Sequence, residues 1–131
     1  MLSQLDPEKL DAKSRKMLDY FLNKDNVSVF CKDIESKFFN CNASFLSDCD
    51  EGSVTTLIGK TDYDLSWTKE QAAYFRLVDR DVMENDMPRM GIVEEQTSRS
   101  RRKRWIETNK FPLKDPDGSV VGLLGFYVER L

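Results

Sequence analysis

Three cysteines, one pair of adjacent glutamates and a run of basic residues are the groups in this chain whose type and spacing could carry chemistry. Cys31, Cys41 and Cys49 are odd in number and show no CxxC pairing, so neither a disulfide framework nor a zinc site follows from them. No metal site is expected. Glu94 and Glu95 are the arrangement that paired acid–base catalysis would need, but neighbours on a strand point to opposite faces and cannot share a site. The chain has no histidine among its 131 residues. That absence removes a Ser-His-Asp triad, papain-type Cys-His catalysis, HExxH metal sites and histidine-ligated haem. It also removes a phospho-accepting histidine from this chain. No catalytic residue emerges, and a small enzyme working through Asp or Glu is the one catalytic reading left.

The basic run is Arg99, Arg101, Arg102, Lys103 and Arg104. It lies where a turn should join two strands, so it reads as a solvated hairpin tip or as a site for an anion or an acidic partner. Nucleic acid is not an expected partner. The net charge is −3, and no aromatic platform interleaves these charges except Trp105, which belongs to a strand.

The elements that must position these groups fit one domain. Apolar residues make up 40% and charged residues 33%, the balance of a soluble globular chain. No apolar run approaches the ~20 residues of a membrane span, and the N-terminus lacks a signal-peptide apolar segment. The expected location is cytoplasmic, with no membrane span.

Asp6 before Pro7 and Glu8 is a helix-start signal, and Leu10, Met17, Leu18 and Phe21 recur at helical spacing to about residue 22. This narrow stripe must lie against its own domain or a second copy. Residues 27–32 (VSVFCK) and 37–41 (KFFNC) predict two strands joined by a turn. Residues 42–67 break into short helical turns and loops. Thr68 and Gln71 form a capping box for a longer helix with Ala72, Phe75, Val78, Val82 and Met83 on one face. Residues 90–96, 103–113 and 120–128 predict three strands, with a turn at KDPDGS between the last two. The segment VVGLLGFYV is apolar on both faces, as a central, doubly buried strand requires. Two strands, a helical connection and three strands predict an α+β domain, a five-stranded antiparallel sheet with helices on one face.

That order resembles the PAS fold, over roughly residues 26–131. VFCKDIESKFFNCNASF resembles the family's opening hairpin, with Asn42 and Phe45 as the N-x-x-F after its second strand. IGKTDYDL resembles the short-helix connection of bacterial sensory PAS domains, and EQAAYFRLVDRDVMEN the long connecting helix. Glu94-Glu95, WIETNKFPL and DPDGSVVGLLG resemble the three closing strands. The family's Asp-Ile-Thr after the last strand stands here as Glu129, Arg130 and Leu131. By this resemblance, residues 1–25 are a flanking dimerisation or linker helix and residues 26–131 a sensory domain that leads into a C-terminal output domain.

The resemblance implies a non-catalytic sensory module of bacterial signal transduction, a homodimer controlling an attached output. That output would be a diguanylate cyclase (GGDEF) by preference, or a helix-turn-helix regulator or a histidine kinase. It implies an unknown small molecule held between sheet and helices, lined by Phe30, Phe39, Cys41, Phe45, Trp67, Tyr74, Phe75, Met90, Trp105 and Leu124. The same large apolar side chains would also serve a core that simply fills itself, leaving an interaction module with no ligand. Leu10, Met17, Leu18 and Phe21 are the candidate dimer interface. Cys41 in NCNASFL faintly resembles the NCRFL of flavin-binding light sensors. That motif follows a later helix in those proteins, and their polar flavin contacts have no match here. No cofactor is expected, so the purified protein should be colourless; a haem or flavin absorption band in the native protein would overturn this reading.

Overall fold

The segment expected as one helix over residues 7–22 divides in two. In the computed structural model, which describes residues 5–131, Asp6 caps only a 3-10 turn at Pro7–Lys9. The chain then extends at Leu10, whose side chain turns inward, and Asp11 N donates to Lys114 O at 2.8 Å. Helix α1, Ala12–Leu22, starts there, and the Asp11 carboxylate accepts from Ser14 N at 2.7 Å. Burial of Leu10 and the bond to Lys114 interrupt the helical run that the Asp-Pro signal begins.

Five strands, β1 (Ser28–Asp33), β2 (Phe38–Cys41), β3 (Arg89–Thr97), β4 (Lys103–Lys114) and β5 (Val120–Glu129), form one antiparallel sheet in the order β2-β1-β5-β4-β3. The doubly apolar β5 is its centre. The turn after β1 is built by the Asp33 carboxylate, which accepts from Glu35 N and Lys37 N, with Ser36 in the left-handed region.

Helices α2 (Ala43–Cys49), α3 (Val54–Leu57) and α4 (Lys69–Asn85), with a 3-10 turn at Asp62–Asp64, follow between β2 and β3. They cover the inner face of the sheet, where Phe30, Ile106, Leu123 and Tyr127 meet Phe45, Leu57, Phe75 and Val82. The N-x-x-F has a physical role here. Asn42 Oδ1 accepts from both Phe45 N and Val29 N, which caps α2 and ties it to β1 while Phe45 enters the core. The capping box at Thr68 and Gln71 starts α4 as its residue types require.

The outer face has its own core. Leu10 and Leu18 pack with Val29, Cys31, Phe39, Leu113 and Leu124, and Met17 and Phe21 complete the layer. Phe21 stacks on Phe126 with ring centroids 4.2 Å apart. The stripe of Leu10, Met17, Leu18 and Phe21 is therefore covered by the chain's own sheet. Leu10 and Leu18 are buried there, and Met17 and Phe21 keep part of their surface exposed. The Leu18→Ala variant should accordingly lose about 2–4 kcal/mol in urea denaturation, as a buried leucine does, whatever the protein concentration.

Candidate functional site

The inner face holds a cluster of charged side chains in the middle of its apolar layer. Asp79, on the buried side of α4, is fully enclosed, and Lys32 of β1 and Lys110 of β4 reach it from below. Lys32 Nζ lies 2.6 Å from Asp79 Oδ2 and donates also to Asp62. Lys110 Nζ is 3.1 Å from Asp79 Oδ1 and 3.5 Å from a carboxylate oxygen of Glu94 on β3. The Lys110 contact to Asp79 is a charge contact without hydrogen-bond alignment, which leaves that oxygen without a hydrogen bond among the described residues. Trp67 Nε1 donates to Asp62 Oδ1 at 3.0 Å and so joins the indole to the cluster.

The electrostatics follow from these pairings. Burial alone would discharge Lys32, yet Asp62 and Asp79 together hold its ammonium above the ordinary lysine range. Burial likewise opposes the Asp79 carboxylate, but Lys110 and Lys32 hold it below the usual carboxylate range. Such a cluster is rarely more stable than apolar residues of the same volume, whereas removing one partner is costly.

Beside the cluster lies a cavity of about 20 Å³, room for roughly one water. Phe30, Phe38, Phe45, Trp67, Phe75, Ile106 and Tyr127 enclose it, and Lys32, Asp62, Glu94, Gln96 and Lys110 give it polar groups. Gly125 matters to its shape. A Cβ at that position would stand 2.2 Å from Phe30 Cζ, so only glycine lets this ring lie flat on the sheet.

Of the residues expected to line a ligand site, Phe30, Phe45, Trp67 and Phe75 meet around this cavity, and Cys41 packs in the same layer without reaching it. The others are elsewhere. Phe39 and Leu124 alternate to the outer face and pack under α1. Tyr74, Met90 and Trp105 are 43%, 68% and 54% exposed. Tyr74 precedes Phe75 on α4 and points away from the sheet, Met90 sits at the start of the β3 edge, and Trp105 is out of phase with the inward Ile106.

Burial pushes the thiols of Cys41 and Cys49 up to about 12 and that of Cys31 higher still, so all three behave as small apolar groups. Glu94 is buried against Lys110 while Glu95 accepts from Gln71 Nε2, so the adjacent carboxylates serve different neighbours. The basic run is largely engaged with its own chain. Arg99 pairs with Asp50, Arg102 with Glu129, and Arg104 with both Asp48 and Glu129.

Sequence reasoning missed Lys32, Asp62, Asp79, Lys110, Gln96 and Tyr127. Periodicity alone could have exposed three of them. Asp79 falls midway between Phe75 and Met83 on the apolar face of α4, Lys110 continues the alternation of Ile106 and Thr108, and Lys32 that of Ser28 and Phe30. Nothing local marks Asp62, whose role depends on the loop that brings it to Lys32.

A family model described as PAS fold matches residues 22–130. No curated protein sequence matches the chain. Among solved structures, the Vibrio cholerae VqmA dimer without its target DNA aligns with a TM-score of 0.75 at 21% identity, covering 88% of this chain and 51% of that one. VqmA bound to DPO gives 0.74 at 22% identity, over 88% and 57%. The PAS domain of Bordetella pertussis BvgS gives 0.72 at 16% identity, over 91% and 88%. At these identities the likeness concerns the fold, and the chain spans about half the length of VqmA.

Two consequences of the charge cluster are measurable. Lys32→Met leaves Asp62 and Asp79 without their shared cation and should cost about 3–5 kcal/mol in urea unfolding. The stability that Asp79 gains from its depressed titration is complete above its ordinary value of 3.8 and is lost as pH falls through its lower folded value. The stability from Lys32 is complete below 10.5 and is lost as pH rises through its higher folded value. The urea midpoint should therefore drop in acid, and the drop should be shallower in Asp79→Asn.

Proposed function

Since the chain belongs to the PAS fold family, we propose that it is the sensory module of a signal-transduction protein, binding a small ligand in its inner cavity to control an attached output domain. The observation that carries this reading is the set of buried charges at the edge of an aromatic-lined cavity. A core that only had to be stable would gain as much from apolar side chains in those places. Polar groups that converge on an apolar pocket are the usual means of orienting a bound small molecule. The lysines and carboxylates are committed to one another, which supports recognition by hydrogen bonding over acid–base turnover.

The cavity volume sets the mode of binding. A ligand larger than water has to part the rings of Phe30, Phe45, Trp67 and Phe75, so the ligand-bound state differs in packing from the closed one. Binding then shifts a population between two packings, as sensing requires. The same small volume favours a second reading, a filled-core module that mediates contacts and binds nothing.

VqmA is a receptor of LuxR type with target DNA, and one of its structures holds DPO. That likeness supports a DNA-binding regulator as the output over a diguanylate cyclase or a histidine kinase. It also supports a homodimer. With α1 seated on its own sheet, the surface left for a second copy is the uncovered outer part of the sheet, where Val93, Trp105 and Val128 share one face. No helix among the described residues is long and apolar enough to cross a membrane, and a cytoplasmic setting fits such a regulator.

Mass spectrometry of natively purified protein separates the two readings. Ligand binding predicts a small adduct that denaturation releases, or a rise in Tm when a metabolite extract is added. It further predicts that Gly125→Ala, which drives the Phe30 ring into the cavity, abolishes both while the fold is kept. A native protein with no adduct and no Tm response would establish the filled core instead.

A further inference from the structure

The wall of the inner cavity is one side chain thick at the end of the sheet nearest α2. Gln96 lines the cavity and also a surface depression of about 210 Å³ that it shares with Asp48 and Arg104. Tyr127 lines the cavity and also a second depression of about 140 Å³, again shared with Asp48 and Arg104. Gln96 and Tyr127 are thus an inner partition, and Asp48 and Arg104 stand directly outside it.

These four side chains hold one another in place. The Arg104 guanidinium donates to Gln96 Oε1 through two nitrogens, at 3.0 and 2.8 Å. A nitrogen of the same group lies 2.9 Å from Asp48 Oδ2. Tyr127 donates its hydroxyl to that oxygen at 2.8 Å, and Ser28 does so at 2.6 Å. The remaining Arg104 nitrogen reaches Glu129 Oε1 at 3.3 Å. Glu129 is the last residue of β5.

We propose that the Arg104–Asp48 pair is the latch of an entry port into the cavity, and that its opening also loosens the end of β5. The proposal rests on the reading that the cavity takes a small molecule. Three features of the geometry converge on it. The partition separates two outer depressions from the cavity by single side chains. Asp48 sits in the last turn of α2, where one carboxylate oxygen gathers Arg104, Tyr127 and Ser28. The pair is only part-buried, with both side chains about one-fifth accessible, so solvent reaches it from the outer depressions. When the guanidinium leaves Asp48, Gln96 loses the donors that fix its amide and Tyr127 loses the charge that braces its acceptor. The rotation that admits a ligand also takes from Glu129 one of its two arginines, leaving only Arg102 on that carboxylate. Entry and output are then one event, and Arg104 acts as a positioning residue for both.

The test needs no ligand, so it can fail independently of the ligand-binding reading. In a Trp105→Phe background, Trp67 on the cavity wall is the sole tryptophan. Its quenching by acrylamide, without denaturant, reports access to the cavity. Arg104→Ala and Asp48→Asn should each raise the quenching constant severalfold. Arg104→Lys should be intermediate, and Arg89→Ala on the far edge should match the parent. Opening of the port is local, so the increase must persist unchanged in low urea; an increase that grows with urea reports unfolding and counts against the latch. Amide exchange at residues 128–130 should accelerate in the same variants. Unchanged Trp67 quenching in folded Arg104→Ala and Asp48→Asn would overturn the port. Raised quenching with unchanged exchange would overturn the link to β5. Should Arg104→Ala fail to fold, Asp48→Asn and Arg104→Lys decide the matter by the same readings.

Discussion

Asp79 holds the two layers of the domain at a fixed depth. It is a carboxylate at the centre of α4 with two lysines under it, one from each side of the central strand. Lys32 comes from β1 and Lys110 from β4, so the helix is referenced to the sheet at two points rather than by a sliding apolar contact. Asp62 and Glu94 then fix the loop and the far edge to the same lysines. Dispersion between apolar layers tolerates many registers at similar energy, whereas five opposed, buried charges tolerate few. The aromatic rings beside the cluster inherit their positions from it, Trp67 directly through its bond to Asp62.

This dependence explains what could be read from the sequence. The strands, the long helix and the turns are local statements, made by β-branched runs, a capping box and Asp-Gly chemistry, and the structure has them within a residue or two. The resemblance to the PAS fold follows from their order. The cavity is not a local statement. Phe30, Phe45, Trp67 and Phe75 were legible as inward residues because they are apolar, but the polar half of the site was hidden by the same habit of thought. Lys32, Asp79 and Lys110 occupy core positions in perfect period, and a reading that assigns charge to solvent passes over them. Phe39 and Leu124 failed in the opposite way. They are properly apolar and buried, yet the sheet has two buried faces, and period-two alternation sent them to the other one.

The second buried face also revises the role of the N-terminal segment. A sheet with one solvated face would have shown alternating polarity in β5, and it does not. The N-terminal segment supplies the missing cover, with Leu10 before α1 and Leu18 on it packed in one cluster with Leu124, and Phe21 stacked on Phe126. Strand β5 thus borders both cores, with Leu123 and Tyr127 on the inner face and Leu124 and Phe126 facing the helix. One strand is all that separates the inner core from the layer under α1.

The order β2-β1-β5-β4-β3 has a consequence for how the molecule is made. The first hairpin finds its neighbour only in the last strand, Phe30 opposite Gly125. During synthesis on the ribosome, β1 and β2 emerge early and wait with one edge unpaired until residues 120–129 have been translated. Closing so long a loop is entropically slow, and an open strand edge is a template for the wrong partner. The lysine that sits on that waiting edge, Lys32, is then more than a future ligand of Asp79. Until β5 arrives, its charge opposes pairing of one nascent chain with the next.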